Sequence, residues 1–167
     1  MPIAALLRMR LVPLRGLVRM RVVLASAFAV GGFAAEAAVT PGPWAAEPIP
    51  SPKPIFFATG STSGTAGGRV MRGERSLFSV KGTAGQSMTV TITTPDGNAV
   101  FQLYEPGTTI GRDNDGLLEF HGQALHGAAD GEDATRWQGR LPKSGTYLIV
   151  VGSTRGNARF SMDVKIE

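Results

Sequence analysis

Near the C-terminus Phe160, Met162, Val164 and Ile166 alternate without exception against Arg159, Ser161, Asp163 and Lys165. A period of two over seven residues or more predicts a β-strand with one face in a core and one in water. Met88, Val90 and Ile92 repeat the pattern against Ser87, Thr89, Thr91 and Thr93, and Ala99, Phe101 and Leu103 share the face of a third strand. Ser76, Phe78 and Val80 alternate with Leu77, Ser79 and Lys81 in a fourth. The stretch Trp137 to Val151, WQGRLPKSGTYLIVV, reads differently. A strand over Thr135–Leu141 enters a Pro-Lys-Ser-Gly turn, and the continuous apolar run Tyr147–Val151 that leaves it predicts a fully buried strand.

Between these strands the chain carries turn chemistry. Pro95-Asp96-Gly97-Asn98 reverses the chain, because proline presets φ and Gly or Asn accepts positive φ. Ile55–Ala58 is expected to be the first strand, Gly60–Gly68 (GSTSGTAGG) a flexible loop and Arg69–Arg72 a short strand. No GxxxxGK[ST] pattern and no helix signal follow the glycines, so a phosphate cradle is not expected there. From Glu105 to Thr135 the pattern is weak, with only Leu117–Phe120 apolar enough for a short strand. Loops of that length in a small domain are usually functional or disordered. About eight strands, short Gly/Pro/Asn/Asp connections and no amphipathic helix imply an all-β fold. A single antiparallel two-sheet β-sandwich, jelly-roll-like, solves the burial problem.

The first third of the chain has another character. Met20-Arg21, an apolar stretch over Val22–Ala34 and the small-x-small triplet Ala35-Glu36-Ala37 read as a signal peptide over residues 1–37, with Met9 and Met20 as alternative starts. Six of the eleven prolines fall within Pro41–Pro54 (PGPWAAEPIPSPKP), so residues 38–54 are expected to be an extended linker that joins no sheet. Residues 55–167 remain for the sandwich domain, periplasmic or secreted, with no stable membrane anchor after cleavage.

Charge changes meaning once the leader is set apart. The formal net charge is +4, but five of the 17 Lys and Arg and one of the 13 Asp and Glu belong to residues 1–37. Twelve of each sign remain, and the case for nucleic-acid binding goes with the leader. The absence of cysteine excludes a disulfide framework, a thiolate metal site and a Cys nucleophile.

Catalysis has little footing. No G-x-S-x-G elbow is present, and no motif sets a histidine beside a serine. The acids of the long loop could pair as in a glycosidase only if held rigidly at a set separation. Arg112-Asp113-Asn114-Asp115-Gly116 is acidic enough to consider calcium, with Glu119 beyond it, but its spacing fails the EF-hand pattern. His121 and His126, followed by Asp130, Glu132 and Asp133, fix no zinc or copper geometry at their spacing. No cofactor and no metal site are therefore expected, and the chain is not expected to be an enzyme. Calcium at the 111–133 loop is the alternative.

The mature chain resembles the pre-peptidase C-terminal-like β-sandwich modules, and within them the exported domains related to the periplasmic inhibitor of goose-type lysozyme. The resemblance is carried by Phe57–Thr65 (FATGSTSGT), Val70–Gly73, Phe78–Val80, Ala84–Gln86 with the Met88–Ile92 alternation, Phe101–Gly107 (FQLYEPG), Gly139–Tyr147 (GRLPKSGTY) and Arg155–Phe160. It spans roughly residues 55–167, and the insertion over 111–133 departs from it. The resemblance implies an exported, non-catalytic binding module whose partner is a lysozyme-type cell-wall hydrolase or another envelope protein. The alternative is a structural or accessory envelope domain that binds calcium or glycan through the 111–133 loop. Ser144-Gly145-Thr146-Tyr147 is similar to an SGxY motif of other periplasmic lysozyme inhibitors, and the same residues also suit a plain turn with Tyr147 packed at a sheet edge. The candidate partner-binding residues are Lys143, Ser144, Tyr147, Arg155 and Arg159.

Overall fold

The computed structural model describes residues 47–167. The expected leader and the first part of the Pro-rich stretch lie outside the described residues. Those residues form ten strands and no helix: β1 (Lys53–Pro54), β2 (Ser63–Val70), β3 (Ser76–Gly82), β4 (Ser87–Thr93), β5 (Ala99–Tyr104), β6 (Thr109–Arg112), β7 (Leu118–His121), β8 (Arg136–Arg140), β9 (Gly145–Ser153) and β10 (Ala158–Ile166). Two four-stranded sheets have the orders β1-β3-β9-β5 and β2-β10-β4-β8, and β6-β7 is a separate hairpin. Successive strands from β2 to β5 and from β8 to β10 cross between the two sheets, so within each large sheet the neighbours are distant in sequence. All pairs are antiparallel except β1 with β3.

The alternation read from the sequence is the geometry of this β-sandwich. In β4 the side chains of Met88, Val90 and Ile92 point inward, and in β10 those of Ala158, Phe160, Met162, Val164 and Ile166 do. They meet Phe78, Val80, Phe101, Leu103, Tyr147, Ile149 and Val151 of the facing sheet in one core. Phe78 and Phe160 touch edge to face across the two sheets, with ring centroids 5.9 Å apart.

Strand β9 lacks alternation because both its faces are covered. Its odd positions enter the main core, whereas Leu148 and Val150 join Leu77 and Tyr104 in a second cluster on the outer face. Ile110, Leu118 and Phe120 of the β6-β7 hairpin, with Ala124, close that cluster from outside. A strand buried on both faces reads as a continuous apolar run. Residues 123–134 then lie along the free edge of β5. Glu105 N–H donates to Gln123 O, Leu125 N–H to Leu103 O, Leu103 N–H to Ala128 O and Phe101 N–H to Ala134 O, all at 2.8–2.9 Å. The long weakly patterned segment is thus a hairpin followed by an edge cover, with Leu125, Ala128 and Ala134 in the core.

Three sequence expectations are corrected. The Gly-rich segment is not a flexible loop: its residues 63–68 open β2, which runs on into the expected Arg69–Arg72 strand and pairs with β10 from Ser63↔Lys165 to Val70↔Ala158. Its strand character comes from its neighbours. The ring of Phe57 sits 2.6 Å from where a Cβ at residue 64 would be, and the Phe160 ring 3.5 Å from one at residue 68. Large side chains on either side use the space the glycines leave. The Pro-rich stretch does join a sheet, because Lys53 and Pro54 pair in parallel with Phe78 and Ser79. A proline is tolerated there because β1 is an edge strand. Ile55–Ala58, expected to be the first strand, is irregular beyond the bond from Ile55 N–H to Ser79 O.

Candidate functional site

The five candidate residues fall at opposite ends of β9. Lys143, Ser144 and Tyr147 lie at its start, and Arg155 and Arg159 lie beyond its end in the β9-β10 turn and the first residues of β10. At roughly 3.3 Å per residue the nine residues of β9 separate the two groups by about 25 Å. They are two regions with different chemistry.

At the first end the hydroxyls of Ser144 and Tyr147 in the Ser-Gly-x-Tyr motif are both used internally. The Tyr147 side chain is fully buried, and its hydroxyl donates to Lys143 O at 2.6 Å while accepting from Lys143 N–H at 3.1 Å. Ser144 Oγ accepts the Ala84 N–H at 2.9 Å, tying this turn to the β3-β4 turn. Gly145 has φ 148°, and a Cβ there would come within 2.7 Å of Pro106 Cβ, so only glycine fits. Lys143 Nζ lies 2.7 Å from Glu105 Oε2, a carboxylate oxygen that has no other partner among the described residues. Their hydrogen bond and the attraction of the Glu105 charge hold the Lys143 ammonium above its ordinary pKa. Tyr147 therefore presents nothing to a partner, and the corner is clasped shut.

At the second end the topology gathers residues from three distant segments. Asn98, buried, donates from Nδ2 to Arg155 O at 2.9 Å and Asn157 O at 3.0 Å, and its Oδ1 accepts from Thr94 Oγ1 at 3.2 Å. Thr154 N–H returns a bond to Asn98 O at 3.0 Å, and Asn157 Oδ1 accepts the Arg72 N–H at 3.0 Å. One buried amide thus fixes the β9-β10 turn against the β4-β5 turn, and Asn157 extends the tie to the loop after β2. Around this hub stand Arg69, Arg72, Arg155 and Arg159, all exposed. Arg155 Nη2 donates to Asp96 O at 2.9 Å, and none of the four makes an ion pair among the described residues. Arg69, Met71, Glu74, Asp96 and Arg159 line a groove of about 560 Å³, and Met71 is half exposed.

Sequence reasoning proposed Arg155 and Arg159 but missed Arg69, Arg72 and the hub, Asn98. Arg69 and Arg159 are direct register partners across β2 and β10, a pairing that required β2 to be recognised as a strand. Asn98 looked like a turn residue only; the strand on which it borders was the available signal.

The other candidates are placed apart. Asp113 Oδ1 accepts the N–H groups of Asp115 at 3.0 Å and Leu117 at 2.8 Å, which makes it the internal cap of the β6-β7 turn. His121 faces Glu119 on the hairpin at 3.4 Å, whereas His126 contributes its backbone carbonyl to Trp137 Nε1–H at 3.0 Å. Among the described residues no three His, Asp or Glu side chains converge on one point.

No protein-family model matches the chain, and no curated protein matches it. Solved structures do. The chain is similar to PliG of Aeromonas hydrophila, a periplasmic lysozyme inhibitor of g-type lysozyme, with 28% identity and a TM-score of 0.52 over 70% of this chain and 96% of that one. PliG of Salmonella Typhimurium aligns with 21% identity and a TM-score of 0.48, over 71% of this chain and 100% of that one. A mutant of the Escherichia coli PliG gives 19% and 0.47, over 70% and 100%. The chain is thus structurally related to a periplasmic inhibitor across almost that protein's whole length.

Proposed function

We propose that this chain is an exported, non-catalytic inhibitor of a goose-type lysozyme, acting from the periplasm or outside the cell. The observation that carries the reading is the similarity to the Aeromonas hydrophila inhibitor over nearly all of that protein. The leader read over residues 1–37 agrees with the compartment. The wider placement among pre-peptidase C-terminal-like sandwiches rests on the turn and strand motifs alone.

The arginine end is the surface we assign to the partner. Lysozyme-type glycoside cleavage works through carboxyl groups beside the scissile bond. A guanidinium pairs with a carboxylate through two parallel hydrogen bonds, and Arg155 and Arg159 have no carboxylate partner among the described residues. A rigid turn carrying such groups, wedged into a cleft, excludes substrate without any chemistry. Lys143, by contrast, already holds Glu105.

The test is inhibition of bacterial-cell lysis by a goose-type lysozyme. The purified chain should inhibit at micromolar concentration, and full lysozyme activity at micromolar excess would overturn the reading. Combining Arg155→Glu with Arg159→Glu should abolish inhibition while the chain remains folded, as its melting curve checks; both side chains are exposed. Ser144→Ala should inhibit as the parent does. If the two variants reversed these roles, the inhibitory face would be the corner.

A further inference from the structure

The outer face of the β1-β3-β9-β5 sheet is only partly covered by the β6-β7 hairpin. Where the hairpin stops, a cavity of about 160 Å³ remains, floored by Val100 of β5 and Val150 and Gly152 of β9. Its walls are charged. On one side is Arg75, whose guanidinium lies against Gly152: a Cβ there would come within 3.3–3.4 Å of Nη1, Cζ and Nε. Glycine at this position lets the cation rest on the sheet. Among the described residues its one hydrogen bond is from Nη1 to Glu74 O at 3.1 Å. On the other side are Asp130 and Asp133.

The acidic wall is held in place by a chain of directed bonds. Tyr104 O–H donates to Gln102 Oε1 at 3.1 Å, which turns the Gln102 amide so that Nε2 donates to Asp130 Oδ1. Burial first, then the nearby Asp130 charge, with Arg75 opposing, holds the Tyr104 phenol above its usual pKa. One oxygen of Asp130 is tied and the other is left over. Asp133 sits at φ 45°, the one non-glycine residue among those described with positive φ. The buried Ala134 next to it, bonded to Phe101 N–H, holds the backbone there. Positive φ in a non-glycine residue is uncommon and concentrates at sites where a side chain is being placed.

Opposite charges line one small cavity, yet no pair among Arg75, Asp130 and Asp133 comes within ion-pair distance. We propose that this cavity binds a small diamino monocarboxylic acid, its carboxylate on Arg75, its two ammonium groups at Asp130 and Asp133 and its aliphatic chain on Val100 and Val150. One cation and two anions on the protein are matched by one anion and two cations on the ligand. The volume, below the roughly 300–1,000 Å³ of pockets for drug-sized ligands, suits a molecule of that size. The site shares no lining residue with the arginine groove, although Arg75 follows Glu74 of that groove and Thr154 precedes Arg155, and it does not depend on the inhibitory reading.

The test uses the purified chain with lysine as probe. Calorimetry should show saturable binding, and the amide resonances of Gly131 and Gly152 should shift in a two-dimensional NMR titration. Norleucine, which lacks the second amine, and cadaverine, which lacks the carboxylate, should each bind at least about tenfold more weakly. Arg75→Gln and Asp133→Asn should each weaken lysine binding by at least about tenfold without moving the melting temperature; Asn accepts the same φ as Asp. Absence of saturable lysine binding in the millimolar range, equal affinity for cadaverine, or an Arg75→Gln protein that binds as the parent does would each overturn the proposal.

Discussion

The two ends of β9 are built from similar residues and do opposite things with them. At the Lys143 corner the hydroxyl of Tyr147, the hydroxyl of Ser144 and the ammonium of Lys143 all find partners inside the chain. At the Arg155 end a single buried amide, Asn98, satisfies the backbone of the turn and leaves the guanidinium groups around it without acidic partners. A polar motif that satisfies itself is a structural device. A rigid turn whose charges are unsatisfied is a surface prepared for something else. Short motifs such as Ser-Gly-x-Tyr do not distinguish the two cases, because the distinction lies in partners brought from elsewhere in the chain.

The comparison breaks most sharply at Tyr147. Truncation to alanine removes a fully buried ring from the main core and both bonds to Lys143, and should cost roughly 3–5 kcal/mol. That is a large part of the roughly 5–15 kcal/mol that holds a domain of this kind together. Tyr147→Phe separates the contributions: it keeps the ring, loses the clasp and should cost about 1–3 kcal/mol by leaving a Lys143 backbone group without its partner. Urea denaturation measures both. A Tyr147→Phe protein as stable as the parent would show that the clasp contributes nothing, and the corner would regain interest as a partner surface.

Asn98→Ala tests the other end. Three side-chain hydrogen bonds are lost from a buried position, and a cost of about 1–3 kcal/mol is expected. Unlike Tyr147→Phe, this substitution should also weaken lysozyme inhibition, because the turn that carries Arg155 is no longer fixed. Equal inhibition by the parent and by Asn98→Ala, measured below the variant's melting temperature, would mean that the turn needs no hub. Gly145→Ala belongs with these in size: the added methyl meets Pro106 at 2.7 Å, and overpacking of this kind costs about 1–3 kcal/mol. It should leave inhibition unchanged.

Much of this architecture is legible in the sequence, and the illegible parts share a cause. β4 and β10 announce themselves because one face is wet and the period of two survives. The buried character of β9 is legible too, although what covers its second face is not. Leu117–Phe120 hints at the strand that becomes β7, but Ile110 lies in a stretch too short and too interrupted by Gly and Asp to announce β6 or the hairpin. β2 is invisible because glycine gives no side-chain period; its neighbours Phe57 and Phe160 supply the apolar surface that its own residues lack. The arginine end is half legible for the same reason. Arg155 and Arg159 are near neighbours along the chain, but Arg69, Arg72 and Asn98 reach them only through pairings that span 57 residues or more. Contacts made across such distances are set by topology, and no local pattern records them.

The smallest effect is expected at Lys143, and its pH dependence shows whether the Glu105 pair is formed in solution. The hydrogen bond to Glu105 and the Glu105 charge raise the Lys143 pKa above its ordinary 10.5 in the folded chain. A cation whose folded pKa is raised gives stability that is fully present below the unfolded pKa and is lost as pH rises through the folded value. The window therefore opens at about pH 10 and extends upward. Lys143→Gln should melt slightly below the parent from neutral pH to about pH 9, since an exposed ammonium is well screened by water and salt. The two melting temperatures should then converge as the parent loses its own charge above that. Added salt at neutral pH should narrow the same gap. Parallel curves through pH 11, with a constant difference, would show that the lysine acts through its aliphatic stem, and the corner would then owe its closure to Tyr147 and Ser144 alone.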